Sequence, residues 1–159
     1  MRWMEKVKRF IRLDSELKKL LIEAFLFLGW ARIIKARPFS KTISLLGTPM
    51  EETPVNSNSS QTVQLISECI HIMSRYAFWE SQCLVKAIAA MKMLERRNIA
   101  STLYLGTGKD GEGKLIAHAW LRCGNKYVTG EEGRERFTAI SSFAKKIESG
   151  DEFGGRKRV

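Results

Sequence analysis

The apolar spacing divides the first half of the chain into amphipathic segments. Residues 1–11 are basic and carry apolar positions at helical spacing, which predicts a short amphipathic helix. Asp14 or Ser15 can cap a second, longer helix, and Pro38 ends it. Residues 39–46 predict one further short helix.

The second helix contains an apolar run, residues 20–30, in which Glu23 is the one charged residue. A helix that crosses a bilayer needs about 20 apolar residues, so this run is too short to be a span. We therefore expect the helix to pack on the protein and do not predict membrane association, with a membrane-surface role as the alternative.

Residues 48–60 contain two prolines and many small polar residues without periodicity, which indicates a surface loop. Helical spacing resumes in residues 61–77 and predicts another amphipathic helix. Ser81 can cap the helix that follows, so that Cys83 lies in its first turn. One buried face of this helix is predicted from its repeated apolar positions, which are Leu84, Ala87, Ile88, Met91 and Leu94.

The pattern then changes to alternation, which predicts an antiparallel meander of at least three strands. The strands are residues 101–106, 114–123 and 126–129. Residues 106–113 and the pair Gly124-Asn125 provide the turns. Residues 137–148 return to helical spacing and predict a last helix. The predicted fold class is α+β, with a helical N-terminal part and a small antiparallel sheet.

We predict one domain over residues 1–159, with residues 1–47 as an N-terminal helical segment. Three cysteines cannot all pair within one chain, and no signal-peptide pattern is present, so we expect free thiols and a cytoplasmic location. The net charge of +10 favours an anionic or acidic partner. Because the basic residues are spread along the chain without a reading motif, nucleic acid is not predicted.

Cys83 is the candidate nucleophile. In the first turn of a helix, backbone N–H groups and the positive end of the helix dipole favour a thiolate. The backbone N–H of Cys83 could also stabilise an oxyanion, and Gln82 is the adjacent candidate for a second donor. Cys123 follows near a turn, and we interpret it as a bystander thiol.

The chain has two histidines, His71 and His118, as candidate proton partners. His118 lies in an apolar strand, where an unpaired imidazole would cost about 1 to 3 kcal/mol, so we expect it to meet a partner. His71 is the alternative base, although no neighbouring residues frame it as a site. Cys69 and His71 are two positions apart and lie on different helix faces, so no metal site is predicted. No motif indicates a cofactor.

Two motifs in order carry a resemblance to a known family. Residues 83–87 read Cys-Leu-x-x-Ala and open a helix that ends in the pair Arg96-Arg97, and residues 117–120 read Ala-His-Ala-Trp. Together they resemble the nucleophile helix and histidine strand of lasso-peptide leader peptidases, which are transglutaminase-like cysteine proteases. The resemblance covers residues 76–143. It implies a papain/transglutaminase-like fold in which the helix supplies the nucleophile and the sheet supplies the base.

The third catalytic residue departs from the pattern that this resemblance implies. In the family, an aspartate on the strand after the histidine holds the imidazole in its working tautomer. That position falls near Thr129 or Gly130 here, and neither is acidic. Glu131 is the nearest carboxylate and the candidate third member, with a backbone carbonyl or a side-chain amide as the alternative. An exposed acidic turn is the other interpretation of Glu131.

The resemblance also implies a substrate and partners. Such peptidases remove the leader from a lasso-peptide precursor, after which an ATP-dependent cyclase closes the new N-terminus onto an acidic side chain. In short forms like this one, a separate leader-recognition protein binds the leader as an added strand. The basic N-terminal helices are candidates for the docking surface. Two alternatives stay open, namely transglutaminase-like amide transfer by the same Cys-His pair and a non-catalytic peptide-binding module.

Overall fold

The computed structural model of the protein describes residues 2–55, 61–77 and 82–147. Within these residues, five α-helices and a five-stranded antiparallel sheet confirm the predicted α+β class. The helices are α1 (Arg2–Ile11), α2 (Ser15–Lys35), α3 (Phe39–Leu46), α4 (Gln61–Ser74) and α5 (Cys83–Glu95). The strands are β1 (Thr48–Pro49), β2 (Ser101–Lys109), β3 (Leu115–Cys123), β4 (Lys126–Thr129) and β5 (Thr138–Lys145).

The sheet has the strand order β1-β5-β2-β3-β4, with the predicted β2-β3-β4 meander at one side. The first turn of the meander was predicted too early, because β2 continues through Gly106 and the chain reverses at Asp110. The Asp110 carboxylate accepts hydrogen bonds of 2.9 Å from the backbone N–H groups of Glu112 and Lys114. A Cβ at Gly106 would lie 2.7 Å from the Trp120 ring, so this glycine permits close packing within the sheet.

The prediction of a helix over residues 137–148 is wrong, because residues 138–145 form strand β5. This strand pairs with β2 on one side and with β1 on the other. The apolar positions happen to be spaced as in a helix, but the backbone groups of β2 and β1 provide hydrogen-bond partners that only a strand can use. Glu148, the last residue of the predicted helix, lies outside the described residues.

Helix α5 lies at the centre of the molecule and is buried on nearly every side, rather than on one face as predicted. It packs against α2, α4 and the sheet. Alanines in its middle allow these neighbours to approach closely. Its buried side chains are Val85, Ala87, Ile88, Ala89, Ala90, Met91, Met93 and Leu94.

Helix α2 begins at the predicted cap, since the Asp14 carboxylate accepts a hydrogen bond from the backbone N–H of Glu16 at 3.3 Å. Glu23 forms two hydrogen bonds with the Arg97 guanidinium, at 2.6 and 2.9 Å, which ties α2 to the end of α5. Leu21, Ala24, Leu28 and Ala31 of α2 are buried in the same core as α4, α5 and the sheet. Among the described helices, none combines the length and apolarity that a membrane span requires.

The predicted loop over residues 48–60 is only partly a surface loop. Its first two residues form β1, and Thr53 is buried. The backbone N–H of Thr53 donates to Thr102 Oγ1 at 2.9 Å, and its carbonyl accepts from the buried Arg122 at 2.9 Å. Residues 56–60 and the predicted cap Ser81 lie outside the described residues.

Candidate active site

Cys83 is the first residue of α5, which confirms the prediction that it lies in the first turn of a helix. The preceding residue, Gln82, has an extended backbone, so the chain enters the helix at Cys83. The Cys83 side chain is half-buried and lines a cavity of about 720 Å³. It therefore combines access from the cavity with the backbone N–H groups of the first helical turn and the positive end of the helix dipole.

The other two cysteines have a different environment. Cys69 and Cys123 are buried in the core. Burial raises the pKa of the Cys69 thiol to about 11 and also raises the pKa of Cys123. Both side chains therefore remain protonated, weakly nucleophilic thiols at neutral pH.

We expect one reactive thiol in the native protein. With DTNB at pH 8, Cys83 should react alone, because Cys69 and Cys123 are buried and protonated. All three thiols should react in denaturant, and a Cys83→Ala protein should show none in the native state. Rapid native reaction at Cys69 or Cys123 would contradict this assignment.

The His118 ring lies between Trp120 and Phe137, with centroid distances of 5.9 and 4.8 Å. Its Nε2 atom and the Gly130 carbonyl oxygen are 2.8 Å apart. Since a carbonyl oxygen can only accept, Nε2 carries the proton and Nδ1 is the basic nitrogen. His118 thus has the partner that its apolar strand required, and this partner fixes its tautomer.

Cys83 and His118 approach the cavity from different layers. His118 alternates with Ala119 along β3 and shares a sheet face with Trp120, whereas α5 packs on the face of Ala119 and Leu121. Both side chains nevertheless line the same cavity, beside the residues that follow β4. Within the described residues, no hydrogen bond joins Cys83 Sγ to the His118 ring. Catalytic hydrogen bonds are often long in unliganded enzymes, and substrate tightens them.

His71 lines this cavity as well, which the sequence did not indicate. Its Nδ1 atom is 2.7 Å from the Ser67 carbonyl oxygen, four residues earlier on α4, so Nδ1 carries the proton and Nε2 is the basic nitrogen. The structure therefore brings both histidines to the cavity that Cys83 lines.

Glu131, the predicted third member, also lines the cavity and is exposed. Among the described residues, the His118 ring donates its hydrogen bond to the Gly130 carbonyl oxygen, which was the backbone alternative. Gly130 has a φ of +72°, and a Cβ there would overlap the Ala119 carbonyl oxygen and lie 2.8 Å from Trp120 Cβ. The role of Glu131 stays a prediction.

The cavity walls carry opposite charges that the sequence analysis did not assign to a site. Arg75 at the end of α4 and Lys86 on α5 provide basic groups, and Glu131 and Glu132 provide acidic groups. Thr129 is 2% exposed, and its Oγ1 atom has no hydrogen-bond partner within the described chain. These residues come from separate elements, so only the tertiary fold brings them together. The polar lining can hydrogen-bond a peptide backbone.

The described residues contain no group of three His, Cys, Asp or Glu side chains arranged to hold a metal ion.

In comparison with known proteins, a family model described as the transglutaminase-like superfamily matches residues 24–142. The matched span runs from α2 into β5 and includes Cys83 and His118. No curated protein and no solved structure gives a significant match.

Proposed function

Because the chain belongs to the transglutaminase-like superfamily, which contains cysteine peptidases and transferases, we propose that it is a cysteine peptidase that removes the leader from a lasso-peptide precursor. Cys83 and His118 line one cavity, and this observation carries the proposal. Cys83 is the nucleophile and His118 is the proton carrier. His118 can fill that role because its bond to Gly130 leaves Nδ1 as the basic nitrogen.

Acylation begins when Cys83 Sγ attacks the carbonyl carbon of the scissile peptide bond and His118 Nδ1 takes the thiol proton. The negative charge then lies on the former carbonyl oxygen. The backbone N–H of Cys83 lies in the first turn of α5, whose N–H groups have no acceptor within the helix itself. A preorganised donor of this kind is worth about 3 kcal/mol of barrier, and Gln82 remains the candidate for a second donor.

The tetrahedral intermediate collapses when the C–N bond breaks and His118 gives its proton to the leaving amine. The departing fragment is the core peptide with a new N-terminus, and the leader stays on Cys83 as a thioester. Water then attacks the thioester carbon while His118 Nδ1 takes a proton from it. The Cys83–leader bond breaks, the proton returns to the sulfur, and the leader leaves with a free carboxylate.

The two sequence motifs support the leader peptidase subtype. Cys83 begins the Cys-Leu-x-x-Ala motif and His118 is the histidine of Ala-His-Ala-Trp, so both proposed catalytic groups belong to the motifs that carry the resemblance. The cavity volume of about 720 Å³ lies within the range of ligand sites and can hold a few residues of an extended peptide. A separate leader-recognition protein would deliver the precursor, and an ATP-dependent cyclase would use the released core.

The test is incubation of the purified protein with a lasso-peptide precursor and its leader-recognition protein, followed by mass spectrometry. We expect two fragments, leader and core, whose masses sum to the precursor plus one water. A labelled primary amine in the mixture should leave the leader fragment without an adduct. Leader joined to the amine would indicate amide transfer instead. An intact precursor in the presence of the leader-recognition protein would contradict the proposed peptidase.

A further inference from the structure

Helix α1 presents an apolar face on the protein surface. Met4, Val7 and Ile11 are 59%, 36% and 63% exposed. Their spacing of three and four residues places them on one side of the helix. Single exposed apolar residues are ordinary on a protein surface, whereas several aligned along one side of a helix are typical of an interaction surface.

The adjoining side of α1, which carries Lys6 and Phe10, attaches the helix to the body of the protein. Phe10 packs against the hydrophobic core, and the Lys6 ammonium lies 5.0 Å from the centre of the Tyr76 ring. These contacts hold the helix in place while Met4, Val7 and Ile11 face outward. The sequence pattern could not reveal this, because an amphipathic helix can equally bury its apolar face in the core.

The polar side of α1 is strongly basic. The helix contains four basic residues and one acidic residue, Glu5, and the chain as a whole has a net charge of +10. An occupant must therefore offer negative charge and apolar material together. The surface of an anionic bilayer does so, with phosphate headgroups above acyl chains, whereas nucleic acid offers only the charge. The basic residues are Arg2, Lys6, Lys8 and Arg9.

We propose that α1 docks this protein onto an anionic lipid bilayer. The helix has 10 residues and is therefore about 15 Å long, half the thickness of a bilayer core, so it lies in the interface and does not cross it. Met4, Val7 and Ile11 enter the acyl boundary, and the Lys8 and Arg9 side chains reach the headgroups. Tyr76, which contacts Lys6, follows Arg75 of the candidate cavity, so docking brings that cavity near the lipid surface.

The experiment is co-sedimentation of the full chain with two kinds of vesicle, phosphatidylcholine alone and phosphatidylcholine mixed with phosphatidylglycerol. We expect binding to the mixed vesicles, little binding to phosphatidylcholine alone, and release at high salt. Equal binding to both vesicles would overturn the electrostatic part of the proposal, and no binding to either would overturn all of it. In the second case, a protein partner would be the occupant of the apolar face.

Because a protein of this charge can adsorb to anionic lipid through other surfaces, variants decide the role of α1. Val7→Glu/Ile11→Glu should weaken partitioning by about tenfold or more for each side chain withdrawn from the acyl region. Lys8→Glu should weaken it by about fivefold or more, on mixed vesicles only.

Leu115→Glu/Ile140→Glu is the matched control, since these residues are 68% and 61% exposed on β3 and β5 and the double substitution adds the same two charges as Val7→Glu/Ile11→Glu. It should retain most of the binding. Circular dichroism checks that each variant is folded. Folded Val7→Glu/Ile11→Glu protein that binds like the parent would refute docking through α1.

Discussion

Replacement of Cys83 by alanine is expected to abolish precursor cleavage, lowering kcat/KM by at least about 10⁴-fold. The Cys83 sulfur is the attacking group, and the remaining cysteines, Cys69 and Cys123, are buried thiols that cannot replace it. The fold should persist, because loss of one half-buried sulfur at a helix start costs about 1 kcal/mol or less. Cleavage is measured by mass spectrometry and stability by thermal unfolding. Cys123→Ala is the matched control and should keep its activity.

The same assay decides which histidine serves Cys83. Because nucleophile and base act as one unit, His118→Gln should lose nearly as much activity as Cys83→Ala, and the double variant should be no worse than either. His71→Gln should stay within about tenfold of the parent if His71 only lines the cavity. If His71→Gln lost its activity and His118→Gln retained it, the base would be His71 on α4 instead of His118 on β3, and the mechanism would have to be revised.

The helices and the meander could be predicted because their signals are local. Asp14 caps α2 through a contact two residues along the chain, and Pro38 prevents the preceding helix from continuing. The chain reverses between β3 and β4 within two residues, and the first of them, Gly124, has a positive φ. Each of these features depends on neighbours in sequence, so the sequence alone is sufficient.

Strand β5 and the burial of α5 could not be predicted in the same way. The segment of residues 138–145 has apolar positions that fit either element, and the free edge of β2 selects the strand. Helix α5 carries small apolar residues on several sides, and only the packing of α2, α4 and the sheet buries them all. Both outcomes depend on elements distant in the chain.

The candidate site was predictable in part for similar reasons. The position of Cys83 in the first helical turn follows from local spacing, and the need of His118 for a partner follows from its apolar strand. The identity of that partner does not, because a backbone carbonyl has no signature in the sequence. His71 reaches the cavity because α4 packs beside β4, which no local pattern specifies.

Gly130→Ala should destabilise the fold and impair the candidate site, because Gly130 has a positive φ and its carbonyl oxygen accepts the hydrogen bond from the His118 ring. At a φ of +72°, alanine is strained by about 1 to 2 kcal/mol. Its Cβ would also overlap the Ala119 carbonyl oxygen and crowd Trp120. Together these effects should lower the free energy of unfolding by about 2 to 4 kcal/mol, measured by denaturant titration.

Gly113→Ala separates backbone strain from steric overlap. Gly113 has a similar φ of +78°, but an added Cβ meets no atom within 4 Å, so this variant should lose only about 1 to 2 kcal/mol and keep its activity. For Gly130→Ala, a shift of the Gly130 carbonyl should misorient Nδ1 of His118 and lower kcat/KM by about a hundredfold, even at temperatures where the variant is fully folded. If the folded Gly130→Ala protein cleaved precursor as fast as Gly113→Ala, the carbonyl would not orient the imidazole, and Glu131 would become the stronger candidate for that task.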